Sequence, residues 1–397
     1  MDTSTGSHES SENTALFLSG GGFRATFFHL GVIRFLKDSG QLPNIKHISA
    51  VSGGSILAAH LVLNWERYLK DEESFDKAVE ELLNFARFDP RGRITRRFPF
   101  TLGVDLIFPG FRFSRSKRLE IFLSTKLYKN ASLSSLRSNA EGEKRPELHL
   151  LATSLTTGNC CWFSERGLRV DQSNRHRTDE IKKFNYGSFP LSRAVAASAA
   201  FPPLFPPVVV KASELDASED EFPYGEESLT DGGVFDNLGL RHLQWLEKRE
   251  TNKEGPFSHI ICSDATTAFR WKTKFRIVWL PARAARASNV MMKRIADLEY
   301  EQYKENNKIL RLSIDEEVYR EHYIHALPID LQRKARNLRT DLDYFSDLEI
   351  CTLIAHGYEV AYKKATESKL VTQQDETRLP WVPCDHIEKI PYSGPQI

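Results

Sequence analysis

The stretch 47-HISAVSGGSILAAH-60 holds three serines, two adjacent glycines and almost no charge. His47–Val51 reads as a short buried strand, and the run from Ser55 to Leu69 reads as a helix directly after it. Between them lies a turn sharp enough to lift its apex residue above the end of a sheet. Such a turn needs small residues two positions to either side, because the backbone doubles back past both. Ser52 holds the apex, flanked by Ala50 and Gly54. The spacing is that of a G-x-S-x-G elbow with alanine in place of the first glycine. Ser49 falls inside the strand, and Ser55 falls in the first helical turn, where it can cap. Alone, this match leaves two readings open: a nucleophile, or a tight glycine turn between two buried elements.

Upstream, Ala15–Leu18 is a second short apolar strand, closed by Ser19-Gly20-Gly21-Gly22 and followed by a helix from about Phe23 to Lys37. Downstream, strands are expected at Glu147–Thr153, His259–Ser263 and Lys308–Ile314, with Cys161–Phe163 pairing beside the first. Helices are expected at Ser192–Ala200, Ala285–Glu305 and Asp347–Lys364, the last capped by Ser346 or Asp347. Strand, loop, helix, strand, turn, helix is the grammar of a parallel sheet with helices on both faces. The fold class that follows is α/β, a three-layer α/β/α sandwich with a mainly parallel central sheet. The polar N-terminus, residues 1–14, reads as a disordered tail. Residues 15–366 read as one domain, with a motif-bearing core over 15–268 and an α/β completion over 269–366. Residues 367–397 form a C-terminal tail.

Composition narrows the classes. The 397 residues are 41% hydrophobic and 11% aromatic, enough for a large core, and the net charge of +1 gives no global field for nucleic acid. The five cysteines are odd in number and lack C-x-x-C spacing. That argues against a disulfide framework or a cysteine zinc site and fits a reducing, cytoplasmic setting. The most apolar run, 194–210, is interrupted by Pro202, Pro203, Pro206 and Pro207, so any membrane contact is peripheral. Residues 91–118 mix basic side chains with Phe98, Phe100, Ile107, Phe108, Phe111 and Phe113, which suits an anionic lipid surface or, equally, a core with a solvated face. Arg270–Arg276 is a second, shorter run of this kind.

Two further loops concentrate chemistry. Gly20-Gly21-Gly22-Phe23-Arg24 joins a strand to a helix, so its backbone N–H groups and the helix dipole can hold an anion, either a phosphate or an oxyanion. A dinucleotide reading of Gly20-x-Gly22-x-x-Ala25 lacks the acidic residue required at the end of the second strand. Asp231-Gly232-Gly233 presents a carboxylate on flexible backbone, although Asp-Gly is by itself a common turn. Asp236 reads as a turn residue and Asp264 as a loop-shaping residue. His322, His325, His356 and His386 lie in no loop that clearly returns to the strand ends.

Taken in order, Gly20-Gly21-Gly22-Phe23-Arg24, Ala50-Val51-Ser52-Gly53-Gly54 and Asp231-Gly232-Gly233 resemble the three motifs of the patatin-like phospholipase family. The stretch 192-SRAVAASAAFPPLFPP-207 is similar to that family's segment before its aspartate. Ser263-Asp264-Ala265 and Asp341–Tyr358 are similar to the C-terminal parts of bacterial members. The resemblance implies a serine lipid acyl hydrolase of phospholipase A or lysophospholipase type. Ser52 would attack the ester carbonyl and Asp231 would take its proton. Gly20, Gly21, Gly22 and Gly53 would surround the oxyanion, and Arg24 would either meet a head group or order the loop. It implies a phospholipid or lysophospholipid substrate and no metal or other cofactor, in keeping with the lack of an H-E-x-x-H, EF-hand or Cys/His motif. Two rivals stay open: a catalytically silent lipid-binding or scaffold protein of the same fold, and a Ser-Asp-His esterase. No oligomeric state follows from the sequence.

Overall fold

The structure, a computed structural model, describes residues 13–96, 114–138, 144–171, 181–202, 204–215, 217, 225–250, 257–267, 280–303 and 309–371. Strand β1 (Thr14–Leu18) is buried along its whole length, as an unbroken apolar run requires of a strand covered on both faces. Helix α1 (Gly22–Asp38) follows, then β2 (Ile45–Val51) and α2 (Gly53–Leu63). The single helix expected to run to Leu69 divides at Asn64, where α3 (Trp65–Leu69) begins. The Asn64 side chain donates to the His60 carbonyl, taking over a helix acceptor and ending α2. Helix α4 (Glu72–Arg87) starts on Asp71, whose carboxylate accepts from the Ser74 N–H. Next come α5 (Pro90–Arg96) and α6 (Arg115–Leu123).

The sheet resumes with β3 (Glu147–Ser154), β4 (Cys160–Ser164), β5 (Gly167–Asp171) and β6 (Ile181–Phe184). Then follow α7 (Leu191–Ser198), β7 (Val208–Lys211), β8 (Glu226–Asp231), α8 (Arg241–Glu250) and β9 (His259–Asp264). The chain ends its described part with α9 (Leu280–Tyr303), β10 (Ile309–Ser313), α10 (Ile329–Ala335) and α11 (Asp347–Glu367). Ser346 caps α11 in a reciprocal box with Glu349.

The ten strands form one sheet in the order β10-β9-β1-β2-β3-β4-β5-β6, with β8 pairing β3 and β7 pairing β8. The five strands from β10 to β3 are parallel, and β4, β5 and β6 continue as an antiparallel meander. Strand alternation assigns the two faces. Leu16, Leu18, Ile48 and Ala50 join a core with α1, α2, α4, α7 and α11. Ala15, Phe17, Ile260 and Cys262 join a second core with α8 and α9. The result is three layers, helices over each face of a central sheet. Cys160, Cys161 and Cys262 are free and buried. Cys351 is disulfide-bonded, a bridge that the unpaired cysteine spacing gave no reason to expect.

The register around β3 decides where the chemistry falls. Residues Glu147–Leu151 of β3 pair with β2, residues 150–153 pair with β4, and residues 152–154 pair with β8. A strand has two edges, and β4 overlaps both of the others, so β2 and β8 share one edge. They meet there head to head. Val51, the last residue of β2, pairs with Leu151, and Asp231, the last residue of β8, pairs with Ala152.

Candidate active site

That head-to-head meeting brings Ser52 and Asp231 together, although 179 residues separate them by number (231 less 52). Ser52 follows β2 directly and adopts φ 50° and ψ −117°, a strained backbone for a residue with a side chain. The methyl group of Ala50 is fully buried in the core, and the turn closes with it in place. The other two serines of the stretch are accounted for by packing. Ser49 is buried in β2 against His242 Nδ1 at 3.0 Å, and Ser55 lies 2.8 Å from the Ser198 hydroxyl.

Asp231 is 1% exposed and held on three sides. Its N–H donates to the Ala200 carbonyl, its carbonyl accepts from the Thr153 hydroxyl, and its Oδ1 accepts from the Gly233 N–H at 2.8 Å. Burial pushes its carboxyl up to about 7, against the opposing pull of the Ser52 hydroxyl and the Gly233 N–H. Its Oδ2 is buried with no hydrogen-bond partner. The Ser52 hydroxyl thus acts on the Asp231 carboxyl while Oδ2 itself makes no hydrogen bond.

One short segment locks both sides. Ser198, at the end of α7, accepts the Ser52 N–H at 3.0 Å, and Ala200, two residues on, accepts the Asp231 N–H at 3.2 Å. Sequence reasoning quoted the segment 192–207 without finding this job for Ser198. Its hydroxyl is one of three polar groups in an otherwise apolar helix, and only the meeting with α2 gives it a partner.

The glycine loop lies against the elbow. A side chain at Gly53 would place its first carbon 2.0 Å from the Gly22 carbonyl oxygen, so the two backbones require glycine to come this close. Thr26 of α1 reinforces the contact by donating to the Gly53 carbonyl at 2.8 Å. Gly20 is different. Its N–H already donates to the Asn237 carbonyl at 3.1 Å, so it is engaged in holding two loops together.

Arg24 orders the loop at the start of α1. Its guanidinium is buried and donates to the backbone carbonyls of Leu338 (3.0 Å), Arg336 (3.4 Å) and Ala265 (2.9 Å). It ties the start of α1 to two later loops, and it lines one cavity with Ser52 and Asp231. Asp236 accepts from the N–H groups of Leu238, Gly239 and Arg241, which fixes the turn into α8. Asp264 is fully buried, accepts from Thr266 N–H, and pairs with Arg311 through two bonds to one oxygen.

The histidines lie elsewhere. His356 is buried in α11 against the Ile314 carbonyl and burial lowers it to about 4. His29 is likewise lowered to about 4 by burial and bridges the Ser19 carbonyl and the Ser263 hydroxyl. His386 and residues 97–113 and 268–279, which include most of both basic-aromatic runs, lie outside the described residues.

Ser52 and Asp231 open into a cavity of about 380 Å³. Its lining includes the apolar side chains of Ala199, Phe201, Leu204, Phe205, Met292 and Leu342 and the cationic ones of Arg24, Arg286, Lys293, Arg336 and Arg339. Among the described residues lining it there is no histidine.

A family model described as "Patatin-like phospholipase" matches residues 16–243. Among solved structures, the chain is similar to human GIVD cytosolic phospholipase A2 in complex with methyl gamma-linolenyl fluorophosphonate inhibitor and terbium chloride. That likeness has a TM-score of 0.53 at 11% identity and covers 93% of this chain and 60% of the human one. VipD from Legionella pneumophila is a more distant likeness, with TM-score 0.39 and 15% identity, covering 90% of this chain and 67% of that one. The chain thus spans about 60% of the human structure's length. At these identities the likeness is one of fold. No curated protein matches.

Proposed function

Because the chain belongs to the patatin-like phospholipase family, we propose that it is a serine lipid acyl hydrolase acting on fatty-acyl esters of phospholipids or lysophospholipids. The observation that carries this reading is the meeting of a strained serine with a buried, partnerless carboxylate oxygen at one edge of β3. Ser52 Oγ attacks the ester carbonyl carbon while its proton passes to Asp231 Oδ2. The N–H groups of Gly21, Gly22 and Gly53 stabilise the oxyanion, and Gly20 takes no direct part, because its N–H is engaged. Collapse expels the alcohol, which takes the proton back from Asp231 and leaves an acyl ester on Ser52. Water, giving its proton to Asp231, then attacks the acyl carbon, and the Ser52 Oγ–acyl bond breaks as Oγ takes that proton back, releasing the fatty acid.

A carboxylate is ordinarily too weak a base for a hydroxyl. A carboxyl pushed up to about 7 by burial is a better match to the task near neutral pH. The apolar side chains of the lining suit an acyl chain and its cationic side chains suit an anionic head group. Peripheral contact with a membrane through 91–118 belongs to the same proposal. The dyad reading is favoured over a Ser-Asp-His esterase by the lack of histidine among the described residues lining the cavity.

The test uses a long-chain fluorophosphonate and mixed liposomes. Wild type is expected to be labelled at Ser52 and to release fatty acid, with both lost in a folded Ser52→Ala variant. A folded wild type that neither labels nor releases fatty acid would leave the silent lipid-binding reading in its place.

A further inference from the structure

On the face of the sheet carrying α8, at the opposite end of β2 from Ser52, three donor side chains converge. His47 and Glu147 are register partners in β2 and β3, and His149 lies two residues beyond Glu147, on the same face. His47 and His149 are buried, at 6% and 1% exposure, and the Glu147 side chain is 16% exposed. Each imidazole faces a different oxygen of the one carboxylate. His47 Nδ1 lies 3.7 Å from Glu147 Oε2, and His149 Nε2 lies 3.6 Å from Glu147 Oε1. One donor atom from each residue falls within 4.8 Å of the others.

We propose that His47, Glu147 and His149 bind one divalent transition-metal ion, with zinc the best chemical match. Tetrahedral zinc with bonds of roughly 2.0–2.1 Å sets neighbouring donors about 3.3 Å apart, so small side-chain rotations close the site. Two imidazoles and a carboxylate favour zinc or cobalt over magnesium or calcium, which prefer all-oxygen shells. The surroundings hold the rings in place. Phe257 meets the His47 ring edge-on at 5.3 Å, and His242 packs on His149 at 4.7 Å while bonding Ser49. Cysteine spacing gives no sign of such a site, because its donors are separated by a hundred residues and joined only by strand register.

The ion is structural. Ser52 lies five residues along β2 from His47, about 16 Å at the rise of a strand. The clasp joins β2, which Ser52 directly follows, to β3, which pairs with β8 and so with Asp231. It fixes the register on which the meeting of those two residues depends.

The test is titration of the chelator-treated, tag-free full chain with Co(II), read by its visible d–d absorption, then displacement with Zn(II). One equivalent is expected, with a tetrahedral spectrum and a zinc-dependent rise in melting temperature. Glu147→Gln, which preserves shape, is expected to weaken binding by more than the roughly ten- to hundredfold that loss of an outer partner costs. His149→Gln is expected to do the same, while the exposed His322→Gln keeps full stoichiometry. The proposal fails if wild type takes up no cobalt at micromolar concentration. It fails equally if Glu147→Gln binds as wild type does. In either case the cluster is a proton-sharing His–Glu–His network.

Discussion

In the proposed reaction Asp231 is both a base and a buried group, and the two demands would pull stability and activity apart. Its carboxyl rises from 3.8 to about 7 in the folded chain. Below about pH 4 both folded and unfolded chains hold the proton and nothing is gained or lost. Between about 4 and 7 the unfolded chain releases a proton that the folded chain keeps, so stability falls as pH rises. Above 7 the full cost is present, on the order of 4 kcal/mol. Activity runs the other way, rising through pH 7 as the base form accumulates. Asp231→Asn is therefore expected to be more stable than wild type at pH 8 and nearly equal to it at pH 4. Its turnover is expected to fall on the order of a thousandfold or more. Thermal melts at the two pH values check the first statement and fatty-acid release checks the second; equal melting temperatures at pH 8 would count against the burial argument. Ser52 was legible from five residues of sequence because an elbow is a local constraint. Ser198 was not, since its partner is set by how α7 meets α2.

The contact between α1 and α11 shows how elements place the site. A side chain at Gly31 would put its first carbon 2.0 Å from the Ile354 carbonyl oxygen, and one at Gly357 would stand 2.0 Å from that of Phe28. The helices cross backbone to backbone, each at a glycine. Helix propensity alone favours alanine at both positions by about 1 kcal/mol. Packing has the opposite sign, since overfilling a tight contact costs about 1–3 kcal/mol. Gly31→Ala and Gly357→Ala are each expected to lower the urea midpoint, and a raised midpoint would show that the helices separate at little cost. Elements with a strong local signal were legible: β1, β2, β3, β9 and β10 as apolar runs, α1 from its glycine loop, and α11 from its Ser346 cap. β4 was legible as a partner beside β3, but the break at Asn64 and the rest of the antiparallel half of the sheet were not. The first rests on one side-chain bond, and the second on pairing between short strands whose patterns match several partners. The arrangement of β2 and β8 on one edge of β3 is of this second kind. Hence Ser52 and Asp231 could be proposed as a pair from sequence, but the reason they meet in the sheet could not be read there.

At the scale of the molecule, the match to the family ends at residue 243, yet the site does not. Phe23, the first residue after the glycine loop, donates its N–H to the Asp341 carbonyl at 2.9 Å and packs edge-on against Phe345 at 5.8 Å. Arg24 reaches the carbonyls of Arg336 and Leu338. The cavity takes part of its wall from 336–342. Ile314, Val318, Phe345, Ile350, Leu353, Ile354 and Val360 lie in the same core as Leu16, Phe27 and Ile48. β10 covers β9, and the Arg311–Asp264 pair seals that junction away from water. A chain ending at Thr267 would expose the apolar face of α1 and leave Asp264 buried without its cation, a loss of several kcal/mol at the ion pair alone by the usual cost of breaking such pairs, about 3–5 kcal/mol. That exceeds a large part of the total stability of an ordinary domain, about 5–15 kcal/mol. The 1–267 chain is therefore expected to show no cooperative urea transition by circular dichroism and no fluorophosphonate labelling at Ser52. A sharp transition with retained labelling would mean that residues 16–243 fold alone and that the later segment is an addition to a finished site. The opposite result would make residues 309–371 part of the fold that holds the glycine loop, about a hundred residues beyond the last motif.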